Sequence, residues 1–156
     1  MTEKQQIDES EEGLEVGGKI DEVSISIRFS GDDLDPDELT ALLNCEPTEA
    51  YEKGQTIITT ISPRTIKTGM WFLSIQKNSE QTLEEQIWEL LEKLPKDLEV
   101  WEKLSGRFRI NIYCGAWLKN WNRDVWFSAN LLKQIANRKL SIGLAIYFDL
   151  EVEDDG

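Results

Sequence analysis

The chain has 156 residues, 40% of them hydrophobic, which suits one domain with one core. It contains no histidine, so Ser-His-Asp and Cys-His nucleophile systems and every His-bearing zinc site are excluded. The formal net charge is −13, unevenly spread: residues 1–22 carry eight acids and two bases, residues 149–156 five acids and no base, and residues 23–148 seventeen acids and fifteen bases.

The acidity therefore belongs to the ends. We expect residues 1–21 to be a disordered acidic tail, residues 22–149 a single α+β domain, and residues 150–156 a second acidic tail. No basic stripe is visible to neutralise phosphates, so no nucleic-acid partner is expected. No segment approaches the ~20 apolar residues of a membrane span. The first residues lack the basic flank and apolar run of a signal peptide, which makes the cytoplasm the expected address. Cys45 and Cys114 belong to no CxxC pair, and free buried thiols are the simplest expectation.

Val23 to Ser30 alternates, with Val23, Ile25, Ile27 and Phe29 on one side and Ser24, Ser26, Arg28 and Ser30 on the other, the period of a half-buried strand. Asp35-Pro36-Asp37-Glu38 reads as a helix start with Asp35 as cap and Pro36 in the first turn; Leu39, Leu42 and Leu43 form the stripe and Asn44 the end. Thr48 to Gly54 reads as a loop. Thr56 to Ile61 is β-branched, a short strand limited by Pro63, and Met70 to Gln76 is a stronger one with Trp71, Leu73 and Ile75 inward.

Thr82-Leu83-Glu84-Glu85 is a capping box, and Leu83, Ile87, Leu90, Leu91 and Leu94 follow at helical spacing until Pro95. A short helix over Leu98 to Leu104, closed by Gly106, is expected next. Phe108 to Cys114 alternates as a strand, Gly115 to Asp124 reads as an irregular aromatic loop, and Val125 to Phe127 as extended chain. Ser128 caps a helix carrying Leu131, Leu132 and Ile135, with Arg138 and Lys139 at its C-terminal dipole. Leu140 to Phe148 alternates through a last strand.

Each half then runs strand, glycine, capped helix, strand. The pattern suggests a two-layer sandwich, ferredoxin-like, with a duplicated βαβ unit, an extra helix between the halves and a mostly antiparallel sheet. Helices are expected on one sheet face only, since strands buried on both faces would not alternate.

A set of short segments in fixed order carries a resemblance. These are Ile25-Ser26-Ile27-Arg28-Phe29-Ser30-Gly31, Asp35-Pro36, Glu46-Pro47-Thr48, Lys53-Gly54, Gly69-Met70-Trp71, Leu90-Leu91, Phe108-Arg109-Ile110, Cys114-Gly115, Asn122-Arg123 and Phe127-Ser128. Together they resemble the bacterial domain of unknown function family 4279 over about residues 22–148. The resemblance implies a small bacterial α+β domain and supplies no activity and no catalytic residue.

Asp33-Leu34-Asp35-Pro36-Asp37 starts like a calcium loop. Glu38 stands where the EF-hand needs glycine and Asn44 where it needs a bidentate carboxylate, so capping is the better reading and no metal is expected. Acids such as Glu84, Glu85, Glu89 and Glu92 fall on solvated helix faces, and nothing pairs two of them in a cleft; no catalytic residue and no cofactor is assigned.

Two surfaces remain. Trp117, Trp121 and Trp126 surround Arg123 in the aromatic loop, a composition that suits an interface or a stacked ligand, unless the loop folds back to plug the core. Arg28, Arg109 and Tyr113 sit on polar strand faces beside Asn111 and Tyr147, a binding face if that side of the sheet is open and an ordinary solvated face otherwise. The expected function is a non-enzymatic protein-binding protein, in one version an immunity or regulatory protein, whose partner is another protein. The alternative is a small-molecule sensor or cofactor-free enzyme using either surface. Self-association is left open.

Overall fold

A computed structural model describes residues 18–148, and the expected tails otherwise lie outside it. Residues 18–21, assigned to the N-terminal tail by composition, belong to the packed domain. Ile20 is buried, and Asp21 forms an ion pair with Arg123.

The elements are β1 (Glu22–Gly31), α1 (Pro36–Leu43), β2 (Glu49–Tyr51), β3 (Thr56–Ile58), β4 (Pro63–Thr65), β5 (Gly69–Ile75), α2 (Leu83–Glu92), α3 (Leu98–Arg107), β6 (Arg109–Leu118), α4 (Ala129–Asn137) and β7 (Ser141–Phe148). The five-stranded sheet has the order β2-β5-β1-β6-β7, and β3 pairs with β4 in a separate two-stranded sheet. Every pairing in the main sheet is antiparallel except β6 with β7.

Local chemistry explains the helix starts. Asp35 accepts from the Asp37 amide at 3.0 Å, which is the capping role rather than a calcium loop. Thr82 and Glu85 close a reciprocal capping box at 2.8 and 3.1 Å. Ser128 Oγ accepts from the Leu131 amide at 3.1 Å. At the end of α4, Arg138 returns along the helix, and its guanidinium donates to the Gln134 carbonyl at 3.0 Å.

One side of the sheet is covered. Ile25, Ile27 and Phe29 of β1, Trp71 of β5 and Ile112 of β6 pack with Ile87 and Leu90 of α2, Trp101 and Leu104 of α3 and Leu131 of α4. Phe29 meets Trp71 edge-on at 5.3 Å and stacks on Trp101 at 6.1 Å. Both buried indoles have hydrogen-bond acceptors, Thr40 Oγ1 for Trp71 at 3.0 Å and the Pro95 carbonyl for Trp101 at 2.8 Å.

Several expectations are corrected. The duplicated βαβ unit is not what the registers describe: β1 and β5 are antiparallel neighbours, so only β6-α4-β7 is a parallel crossover. Glu49–Tyr51, read as loop, pairs with Met70–Phe72 as an edge strand. The strand expected over Thr56 to Ile61 ends at Ile58 and pairs with Pro63–Thr65 outside the main sheet. Helix α3 runs past Gly106 to Arg107, because Phe108, not glycine, takes the extended cap conformation. Strand β6 continues through Gly115 to Leu118, which removes Trp117 from the aromatic loop.

Candidate functional site

The second side of the sheet has no helix on it among the described residues. Strand parity puts Ser24, Ser26, Arg28 and Ser30 there from β1. Phe72 of β5 and Asn111 of β6 flank Arg28, and Tyr113 flanks Ser26. From β7 come Gly143 opposite Tyr113 and Tyr147 opposite Trp117.

Arg28 is exposed, its guanidinium carbon over the Tyr113 ring and 4.3 Å from its centre. Its Nε donates to Ser26 Oγ at 3.3 Å. Among the described residues no carboxylate forms an ion pair with it. A planar cation held on an aromatic ring, with no ion-pair partner among the described residues, suits a carboxylate brought by another molecule.

Trp117 and Tyr147 stack with centroids 5.1 Å apart and planes 20° apart. Hydrogen bonding with Tyr113, the first cause, raises the pKa of the Tyr147 hydroxyl above its ordinary value. Lys77 Nζ sits 5.3 Å from the Trp117 ring centre and also pairs with Glu22. Gly115 makes this possible: a Cβ there would stand 3.0 Å from the Trp117 ring and 2.8 Å from Ser24 Oγ, so the indole lies where a side chain would be. Gly143 is the opposite case, since a Cβ there would meet nothing within 4 Å. The strip thus runs from Arg28 through Tyr113 and Tyr147 to Trp117 and Lys77, with open space above Gly143.

The residues singled out in the sequence divide into separate places. Arg28, Arg109, Tyr113 and Trp117 share the open face by register. Arg109 lies at its far end, opposite Ser30, where it lines a hollow of about 280 Å³ with Gly31, Asp32 and Thr68. Trp121 and Trp126 are 74% and 81% exposed, so the loop does not plug the core with them. Arg123 is an anchor rather than a binding group: it donates to both Asp21 carboxylate oxygens at 3.2 and 3.1 Å and to the Asn122 carbonyl at 2.9 Å. Burial works to raise the Asp21 carboxyl, but hydrogen bonds from the Lys119 amide and Arg123 outweigh it and hold its pKa below the ordinary value.

A second concavity, about 560 Å³, lies between Ile20, the start of α2 and the chain at Asp124–Trp126, with Trp88 and Trp126 among its walls. Glu84 faces it already engaged, accepting from Ser128 N and Oγ at 2.6 and 2.7 Å and from Trp88 Nε1 at 3.1 Å. Burial pushes the Glu84 carboxyl up, and these bonds outweigh it, leaving the pKa lowered. Among the described residues no group of three or more Cys, Asp or Glu side chains could hold a metal ion. No helix among them is long and apolar enough to cross a membrane.

Sequence reasoning missed Phe72, Lys77 and the two glycines. Phe72 was accessible from parity alone, since Trp71, Leu73 and Ile75 face inward. Gly115 was read as a stop, which hid the continuation of the alternation to Trp117.

Comparison with curated proteins and with solved structures finds no match for the chain. The sequence pattern of one family, described as Domain of unknown function (DUF4279), matches residues 21–149, the whole sheet with its helices. The chain belongs to the DUF4279 family.

Proposed function

We propose that this domain is a non-enzymatic binding module, and that the open sheet face takes a segment of another protein. The observation that carries the reading is Arg28: an exposed guanidinium backed by Tyr113, centred on an uncovered sheet and without a carboxylate partner among the described residues. A partner segment would place a carboxylate on the Arg28 fork and lay apolar or aromatic groups along Tyr113, Tyr147 and Trp117. The carboxylates with lowered pKa, Asp21, Glu22, Glu38 and Glu84, are all held by neighbours in structural contacts, which favours recognition over proton transfer.

The test is affinity capture with the full chain, followed by measured affinities for each purified partner. Arg28→Ala removes the cation, and Gly143→Leu fills the space over the face. Both variants should release the same partner, while Trp121→Ala should keep it. A partner retained with unchanged affinity by both face variants would overturn the reading.

A second reading rests on the cavity beside Trp88 and Trp126, whose size suits a small molecule. A metabolite bound there at 100 times its dissociation constant would stabilise the fold by about 2.7 kcal/mol, and Trp88→Ala should abolish that gain.

A further inference from the structure

The two edges of the main sheet differ. The β2 edge is three residues long, whereas the β7 edge is eight, Ser141-Ile142-Gly143-Leu144-Ala145-Ile146-Tyr147-Phe148, with no charge and no proline. Exposed edges normally carry lysine, proline or a bulge to prevent pairing. Here apolar groups stand in solvent instead. In register, Leu144 and Ile146 lie beside Cys114 and Ala116 on the helix side of the sheet. Cys114 and Ala116 are fully buried, while Leu144, Ile146 and Phe148 are 38%, 63% and 53% exposed. The helical layer covers β6 and stops short of β7.

We propose that β7 pairs with β7 of a second copy of this chain, antiparallel about a two-fold axis perpendicular to the sheet. That operator keeps the helical layers on one side, so the strip Leu144, Ile146 and Phe148 of each copy meets the same strip of the other. Charge selects the same arrangement. In sequence β7 is preceded by Arg138-Lys139 and followed by Asp149, Glu151, Glu153, Asp154 and Asp155. Antiparallel pairing sets the Phe148 end of each β7, where the acidic sequence begins, beside the Lys139 end of the other, twice per dimer, whereas parallel pairing would set like ends together. Lys139 is exposed, and its contact with Glu102 is a loose 3.4 Å. The paired sheet would have ten strands, and the two open faces, with Tyr147 on the edge strand of each, would lie side by side. The inference rests on the edge strand and does not require a ligand on the open face.

Sedimentation equilibrium of the full chain tests it, from about 1 to about 200 μM so that mass action populates both states. The wild type should be a monomer–dimer system with slowed amide exchange over Leu144–Phe148 in the dimer. Ile146→Lys should weaken association at least about tenfold while leaving the circular dichroism unchanged, and Phe148→Glu is the second such variant. Lys139→Glu should also weaken it, and high salt should abolish the difference from wild type. A monomer across the whole range would overturn the proposal. So would a dimer indifferent to Ile146→Lys and Phe148→Glu, or one indifferent to Lys139→Glu at low salt.

Discussion

The guanidinium of Arg28 rests 4.3 Å above the ring of Tyr113, one strand away and two positions out of direct register, since the residue opposite Arg28 on β6 is Asn111. The diagonal holds the cation over the ring of the neighbouring strand. Arg28→Ala should therefore cost less than about 1 kcal/mol of stability, as an exposed cation–π contact does, while abolishing partner binding. Arg28→Lys should not restore binding, because an ammonium lacks the planar fork. Chemical denaturation and calorimetric titration of the same variants separate the two effects.

Gly115 and Gly143 share the open face but should respond oppositely. Gly115→Val places a branched side chain in the space held by the Trp117 indole and Ser24 Oγ, and should cost about 1–3 kcal/mol with a changed near-ultraviolet dichroism. Gly143→Leu meets nothing and should stay within about 0.5 kcal/mol of wild type.

The Asp21–Arg123 pair should shape the acid limb of stability. The folded pKa of Asp21 lies below its ordinary value of 3.8, so the unfolded chain binds a proton more readily than the native one. The contribution is complete above that ordinary value and is lost as pH falls through the folded pKa. Asp21→Asn should destabilise by about 1–3 kcal/mol at neutral pH, and its denaturant midpoint should fall less than that of wild type below pH 4.

Burial pushes the Cys114 thiol up to about 12. At pH 8 only about one Cys114 in 10⁴ is then thiolate, and the side chain is fully enclosed. Cys45, half-buried and also raised by burial, should react slowly with a thiol reagent in the native protein. Cys114 should react only on unfolding, so native protein should yield one modified thiol and denatured protein two.

Much of the fold was legible because its signals are local. The β1 alternation, the Asp35, Thr82 and Ser128 caps and the Leu83-to-Leu94 stripe each follow from neighbouring residues. Pairing is not local. Nothing near Glu49 or Gly69 says that one joins Phe72 as an edge strand and that the other starts a strand antiparallel to β1, so the loop at Glu49 and the first of the two βαβ units went astray. The site was legible by parity, which put Arg28, Tyr113 and Tyr147 on one face. It failed where composition was taken for position. Trp117 was grouped with Trp121 and Trp126 as loop aromatics, although its ring packs on Tyr147. Arg123 looked like a binding group because its partner, Asp21, lies far away in sequence.

The central strand, β1, is made early and completed late. Its ladders require Gly69–Ile75 on one side and Arg109–Leu118 on the other, so Ile25, Ile27 and Phe29 leave the ribosome long before either neighbour exists. Assembly of the sheet must wait for these later segments, which makes folding depend on distant contacts. A nascent chain halted before β6 would display an unpaired apolar strand, the species that chaperones hold and that aggregates without them.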